Sequence, residues 1–248
     1  MMKEQLFVIG DIHGEYEMLQ ELLSYWDKET QQLVFIGDLG DRGNASSSCF
    51  KRVHQLVKDE DAICITGNHE QILLNFLNKP DEYAANYFLN GGLKTIESFL
   101  SETDLSKLQP EQMAKQIQEK APWLKSFLTN LPNYYEWYAY LFVHAGVNLT
   151  KESWLNTSSY DFIWIREPFH NGRNRTGKTI IFGHTPTNLL HGDMKNFQIW
   201  EDDNKIGIDG GAVFGGILHG LVFDKNGMIH HYGVQKKNDK EVITKTYQ

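Results

Sequence analysis

Apolar residues along the chain gather into short unbroken runs that stop at a small residue or at a side chain able to bind metal. Five such runs stand out: Leu6-Phe7-Val8-Ile9 before Gly10-Asp11, Leu33-Val34-Phe35-Ile36 before Gly37-Asp38, Ala62-Ile63-Cys64-Ile65 before Thr66-Gly67-Asn68, Tyr140-Leu141-Phe142-Val143 before His144, and Thr179-Ile180-Ile181-Phe182 before Gly183-His184. Continuous runs of this length, rich in Val, Ile and Phe, predict strands covered on both faces. Between the first three, Tyr16, Leu19, Leu22, Leu23 and Trp26, and then Phe50, Val53, Leu56 and Val57, recur at intervals of three and four, which predicts amphipathic helices. Strand, helix, strand, helix, strand implies parallel pairing with right-handed crossovers. Ligands of such sheets collect at the carboxyl ends of the strands, so the five polar ends are expected on one rim.

From about residue 71 to 131 the pattern is helical. Tyr83, Tyr87, Phe88, Leu93, Ile96, Phe99 and Leu100 mark one stretch, which Asn90-Gly91-Gly92 breaks in two. Pro110 opens a polar helix over 111–120 and Pro122 another over 123–128. This reads as a helical insertion that either covers one sheet edge or takes part in substrate choice. Phe197 to Trp200, Ile206 to Ile208, His219 to Phe223 and Ile229 to Tyr232 read as short strands of an antiparallel second sheet, separated by turns such as Lys225-Asn226-Gly227. Residues 1–235 are expected to form one domain, and 236–248 a polar tail that frays.

Composition narrows the class. The chain has 248 residues and a formal net charge of −8, which argues against nucleic acid as a partner, since that needs basic surface. The apolar runs fall far short of the roughly 20 residues of a membrane helix, and no signal-peptide core follows Met1, so a cytoplasmic location without membrane contact is expected. Cys49 and Cys64 are too few for a disulfide framework and read as small buried residues. Only five of the 24 basic residues are arginine, which draws attention to Arg42, Arg166, Arg173 and Arg175.

The turns after the five strands carry the chemistry. They are Gly10-Asp11-Ile12-His13-Gly14, Gly37-Asp38-Leu39-Gly40-Asp41-Arg42-Gly43, Gly67-Asn68-His69-Glu70, His144-Ala145-Gly146 and Gly183-His184-Thr185-Pro186. Singly, each has an ordinary explanation: an Asp after a strand usually caps the next helix. Together they supply carboxylates, an amide oxygen and imidazoles, a mixed N/O set that suits Mn²⁺, Fe or Zn²⁺ better than Ca²⁺ or Cu(I). The donors are too many for one open ion. Two ions sharing a carboxylate would use them, and such a pair activates water for in-line displacement at phosphorus.

In this order the five turns resemble the signature of the calcineurin-like metallophosphoesterases, and within them the phosphoprotein phosphatase branch in its compact bacterial and phage form, to which the symmetrical diadenosine tetraphosphatases are related. The resemblance spans Phe7 to about Gly216. It implies an α/β fold: a β-sandwich of two mixed sheets flanked by helices, with the active site at the strand C-terminal ends. It implies one metal on Asp11, His13 and Asp38, and a second on Asp38, Asn68, His144 and His184, with Mn most expected and Fe or Zn accepted. It further implies His69 as general acid held by Asp41, and Arg42, Asn68 and Arg166 facing the substrate phosphate, Arg166 being placed by Trp164-Ile165-Arg166.

The activity so implied is hydrolysis of phosphomonoesters, foremost phosphoserine and phosphothreonine in proteins, by a hydroxide bridging the two metals. Dinucleoside polyphosphates or other nucleotides are the alternative substrates, and a non-catalytic metal-binding module is a further one that the complete motif set disfavours. Outside the motifs, Glu70 is expected to cap or brace its helix and His54 to lie on the surface. Arg173 and Arg175 read as a solvated loop that can also attract anions. His170, His191, His219, His230 and His231 are expected to stand apart from the site, and no side chain of the glycine-rich stretch 209–216 is singled out.

Overall fold

The computed structural model describes residues 3–238 and 241–247. The chain begins β1 (Gln5–Ile9), α1 (Tyr16–Leu23), β2 (Gln31–Phe35), α2 (Ser46–Asp59), β3 (Ile63–Cys64). The helical segment follows as α3 (Asn68–Asn78), α4 (Pro80–Leu89), α5 (Gly92–Phe99), α6 (Pro110–Lys120) and α7 (Leu124–Thr129). Next come β4 (Tyr134–Trp137), β5 (Tyr140–Val143), α8 (Ser159–Trp164), α9 (Glu167–His170), β6 (Thr179–Phe182) and α10 (Thr187–Leu190). The last elements are β7 (Trp200–Asp202), β8 (Lys205–Gly207), β9 (Leu218–Asp224), β10 (Gly227–Asn238) and β11 (Glu241–Tyr247).

Two mixed sheets stack face to face. One runs β11-β10-β9-β1-β2-β3, the other β4-β5-β6-β8-β7. Within them β1–β2–β3 and β5–β6–β8 are the parallel stretches. The unbroken apolar runs are explained by burial on both sides with period two. On β1, Leu6 and Val8 point between the sheets, where they meet Phe142, Ile181 and Ile208. Phe7 and Ile9 point the other way, onto Leu19 and Leu22 of α1 and the aromatic residues of the helical segment. On β5 and β6, Leu141, Val143, Ile180 and Phe182 face outward, onto Phe162 and Phe169. The break expected at Asn90-Gly91 separates α4 from α5, with Gly91 in the left-handed region at φ 91°.

Three features depart from the sequence reading. The strands of the last third do not form a sheet of their own: β9 and β10 extend the first sheet antiparallel to β1, whereas β8 joins the second parallel to β6. β4 was not foreseen, because Tyr134-Tyr135-Glu136-Trp137 is an edge strand whose polar and aromatic residues carry no clean alternation. The residues read as a fraying tail are strand. β11 pairs with β10 from Tyr247–His231 to Glu241–Asn238, and Thr244 Oγ1 donates to Glu21 of α1 at 2.7 Å. Val242, Thr244 and Thr246 are β-branched residues at alternate positions, a strand signal that the polar composition hid. Residues 239, 240 and 248 of that stretch lie outside the described residues.

β9 and β10 also bury a histidine pair. His219 Nε2 donates to the Phe197 carbonyl at 2.8 Å, and its Nδ1 lies 2.8 Å from His231 Nε2. Burial pushes His219 down to about 3 and His231 down to about 4. Both stay neutral in the folded chain while the unfolded chain takes up protons near 6.5, so this stability is full above pH 6.5 and is lost as pH falls towards the folded values. In urea unfolding, the decline in stability between pH 6 and 5 is expected to be shallower in His219→Gln than in the parent by about 1.4 kcal/mol per pH unit. Equal slopes would mean that His219 is not held neutral.

Candidate metal centre and active site

The ends of the two parallel stretches meet across the sandwich. Ile12 and His13 N–H donate to the Asp38 carbonyl at 3.0 and 2.9 Å, and Gly14 N–H to that of Leu39 at 2.9 Å, so the first two turns are knit together. His144, just after β5, donates from Nδ1 to the Ile36 carbonyl at the end of β2 at 2.8 Å. The N–H of His184, just after β6, donates to Asp11 Oδ2 at 2.9 Å. Five residues of the turns, His13, Asp38, Asp41, Arg42 and His184, hold positive φ without being glycine. Such backbone persists only where the surroundings enforce it.

Asp38 lies at the middle. Its Oδ2 is 3.4 Å from His13 Nε2, and its Oδ1 is 3.3 Å from His144 Nε2. Asn68 Oδ1 receives His144 Nε2 at 3.0 Å and His184 Nδ1 at 2.8 Å. His13 Nδ1 is tied to the Gly40 carbonyl at 2.8 Å, which turns its other nitrogen inward. Two sets of ligating atoms, each within 4.8 Å, result: His13, Asp38 and His69, and Asp38, His144 and His184. Asp11 stands outside both sets, but its buried Oδ1 has no hydrogen-bond partner.

These residues fit a pair of cations. Burial raises Asp11 well above the ordinary carboxylate range, and the charges of Asp209 and Asp38 add to this. Burial also works to raise Asp38, but His144, His69 and His13 hold it well below that range. Burial works against protonation of His144, yet Asp38 draws it up to about 10, while burial with the positive charge of His144 drives His184 down to about 2. Crowded carboxylates, imidazoles with inward nitrogens and an orphan carboxylate oxygen form a pocket that added positive charge relieves. The backbone leaves room for it: a Cβ on Gly67 would fall 2.2 Å from Asp38 Oδ1, and one on Gly183 2.0 Å from Asp11 Oδ1.

The remaining site residues fall beside this cage. His69 Nδ1 meets Asp41 Oδ2 at 2.7 Å. Arg42 spans His13 and His69, its Nη1 and Nη2 lying 2.6 and 2.8 Å from their Nε2 atoms. Arg166, at the start of α9, donates to Thr185 Oγ1 at 2.7 Å, next to His184. All ten residues singled out by the motifs are thus brought to one place.

Several supports escaped the sequence reading. Glu70, expected to brace its own helix, accepts from Gly67 N–H at 2.8 Å but also from Asp38 and Leu39 N–H at 2.7 and 2.8 Å. Tyr87 of α4 and Thr95 of α5 donate to Asp41 Oδ1 at 3.0 and 2.6 Å. Gly91, between those helices, accepts from Arg42 N–H at 3.2 Å. The helical segment therefore props the Asp41-Arg42 turn. Tyr87 belonged to the apolar helical pattern, but its hydroxyl gave no separate signal. Asp209, from the glycine-rich stretch, is buried, and burial pushes it up to about 6. Lys205 of β8 is buried and donates to the carbonyls of His170 and Gly172 at 2.7 and 2.9 Å, fastening the end of α9, the helix that Arg166 begins. His54, expected on the surface, stacks on Trp123 with ring centroids 4.3 Å apart.

The calcineurin-like phosphoesterase family model matches residues 5–216, a stretch containing every one of these turns. The chain belongs to that family. It is a hydrolase of phosphoester bonds. It is similar to the asymmetrical bis(5′-nucleosyl)-tetraphosphatase PrpE of Oceanobacillus iheyensis, 28% identical over 235 residues with 85% of each chain covered. It is similar to the same degree to serine/threonine-protein phosphatase 1 of Salmonella typhimurium, 28% identical over 218 residues, covering 86% of this chain and 89% of that one. A serine/threonine phosphatase structure from Saccharomyces cerevisiae shares the fold, with a TM-score of 0.56, 12% identity, and 98% of this chain and 79% of that chain covered. Among the described residues, no helix of this phosphoesterase is long and apolar enough to cross a membrane.

The Glu70 clamp has a measurable consequence. Glu70→Gln turns an amide NH₂ towards backbone N–H donors and loosens the Asp38 turn. Affinity for Mn²⁺ in calorimetric titration is expected to drop about 10–100-fold. Unchanged affinity would show that the clamp does not set the position of Asp38.

Proposed function

We propose that this phosphoesterase works with two divalent cations, one held by Asp11, His13 and Asp38 and the other by Asp38, Asn68, His144 and His184. The observation carrying this reading is that the two oxygens of Asp38 face opposite imidazoles, His13 and His144, as a shared ligand requires. The donor set suits Mn²⁺ best, with Fe and Zn²⁺ also accepted. Such a pair, when bound, activates water and withdraws charge from the phosphoryl oxygens.

The protein's own groups complete the reaction. Arg42 and Arg166 grip phosphoryl oxygens, for which the bidentate guanidinium is suited, and Asn68 adds a third phosphate contact from the metal cage. Protonated His69 donates from Nε2 to the leaving oxygen, while Asp41 holds its Nδ1 and stabilises the imidazolium. Tyr87 and Thr95 fix the second oxygen of Asp41, so the acid has one orientation.

Phosphoserine and phosphothreonine in proteins are the leading substrates, supported by the intact Gly-Asp-x-x-Asp-Arg-Gly and Gly-Asn-His-Glu turns and by the likeness to the Salmonella phosphatase. A second reading, hydrolysis of dinucleoside polyphosphates or other nucleotides, is supported by the likeness to the PrpE enzyme and by an uncharged aromatic groove beside His184.

With added Mn²⁺ the protein is expected to hydrolyse aryl phosphates, and to stop when the metal is chelated. His69→Asn is expected to retain its metals by elemental analysis and to lose about 10²–10⁴-fold in rate on alkyl phosphates. Turnover of alkyl phosphates at the parent rate would remove His69 as the acid. Failure of every divalent metal to support turnover would leave a binding module.

A further inference from the structure

α3 begins at the metal centre and leads away from it. Asn68, Gln71, Ile72 and Asn75 recur at intervals of three and four and share one helix face, which covers about 10 Å at 1.5 Å per residue. Beyond Asn68 this face borders a cavity of about 550 Å³, large enough for a nucleoside. Ile72 and Ile163, both buried, give it apolar surface. Its aromatic side is Trp164 with Tyr160, whose rings lie 6.1 Å apart at 22°. Trp164 also packs edge-on against His184, with centroids 5.7 Å apart, so one wall of the cavity touches a residue of the metal centre. Tyr160 is 68% exposed, so much of its ring stays open to solvent despite the contact with Trp164.

The polar groups of this cavity are neutral: no Asp, Glu, Lys or Arg is among its described lining residues. Gln71 Nε2 donates to Asn75 Oδ1 at 2.9 Å. That bond leaves Gln71 Oε1 as an acceptor and Asn75 Nδ2 as a donor, both on side chains that line the cavity. An exocyclic amino group next to a ring nitrogen, the edge that adenine presents, complements this pair. Arg166 is held on the far side of the same contact, donating to Thr185 Oγ1 next to the His184 that Trp164 touches.

We infer that this groove is a nucleobase subsite, in which Tyr160 and Trp164 stack on the ring, Gln71 and Asn75 bond its edge, and the attached 5′-phosphate reaches the metal centre. The inference rests on the second reading above, hydrolysis of nucleotides, and narrows it to those bearing an adenine-type base.

The test compares AMP with ribose 5-phosphate, two primary alkyl phosphates that differ by the base, using the Mn²⁺-loaded enzyme. AMP is expected to have a kcat/KM at least about 10-fold higher, since stacking on one aromatic side chain is worth about that much. Tyr160→Ala and Asn75→Ala are each expected to cut the AMP to ribose 5-phosphate ratio about 10-fold, and Tyr160→Phe to preserve it. Without added metal, saturation-transfer NMR is expected to show contact between the parent protein and the base protons of AMP, weakened in Tyr160→Ala. Equal turnover of AMP and ribose 5-phosphate, or absence of base contact, overturns the subsite while aryl phosphate hydrolysis leaves the phosphoesterase reading standing. If no phosphate ester is cleaved, that reading fails instead, and the NMR arm alone decides the groove. A phosphothreonine peptide that loses as much as AMP in Tyr160→Ala would assign the groove to a peptide side chain and overturn the inference.

Discussion

The site depends on one buried carboxylate kept in an unfavourable backbone conformation. Asp38 is 2% exposed with φ at 53°. A chain left to itself would relax this turn, swing the carboxylate outwards and hydrate it. Glu70 prevents this by accepting from the N–H groups of both Asp38 and Leu39, and its own carboxylate is buried to do so. Burial and the charge of Asp38 raise Glu70 above the ordinary carboxylate range, and the backbone donors work the other way. One anion is therefore positioned by a second, which only dense backbone donation allows.

This constraint explains why the fold needs two sheets. A single parallel sheet would align Asp11, Asp38 and Asn68 along one edge, with nothing opposite them. The second sheet brings His144 and His184 to the far side, and cross-sheet bonds such as His144 to the Ile36 carbonyl lock the separation. The helical segment adds the third wall. Through Tyr87, Thr95 and Gly91 it holds the Asp41-Arg42 turn, so the segment is tied to the partner of His69 and to the arginine beside it.

The motif residues were legible because their chemistry is local: a strand runs out, a glycine permits the turn, and a donor atom follows. The strands were legible for a related reason, since burial on both faces leaves no polar interruption in Leu6 to Ile9 or Thr179 to Phe182. What escaped is what depends on distant partners. Thr95 looks like any helical threonine until Asp41 arrives beside it. Glu70 reads as a helix brace because its other two donors lie more than 30 positions earlier. β11 was hidden by its charges: an edge strand open to solvent on one face has a composition close to that of a loop.

Lys205, from a strand of the second sheet, fastens a distant stretch of chain. Its ammonium, 1% exposed, acts as a bolt through the end of α9, taking the carbonyls that a glycine-type helix stop would satisfy. Upstream of the bolt sits Arg166; downstream runs the exposed loop of Arg173 and Arg175. Movement in the residues beyond Gly172 stops at that fastening, so the guanidinium behind it keeps its station.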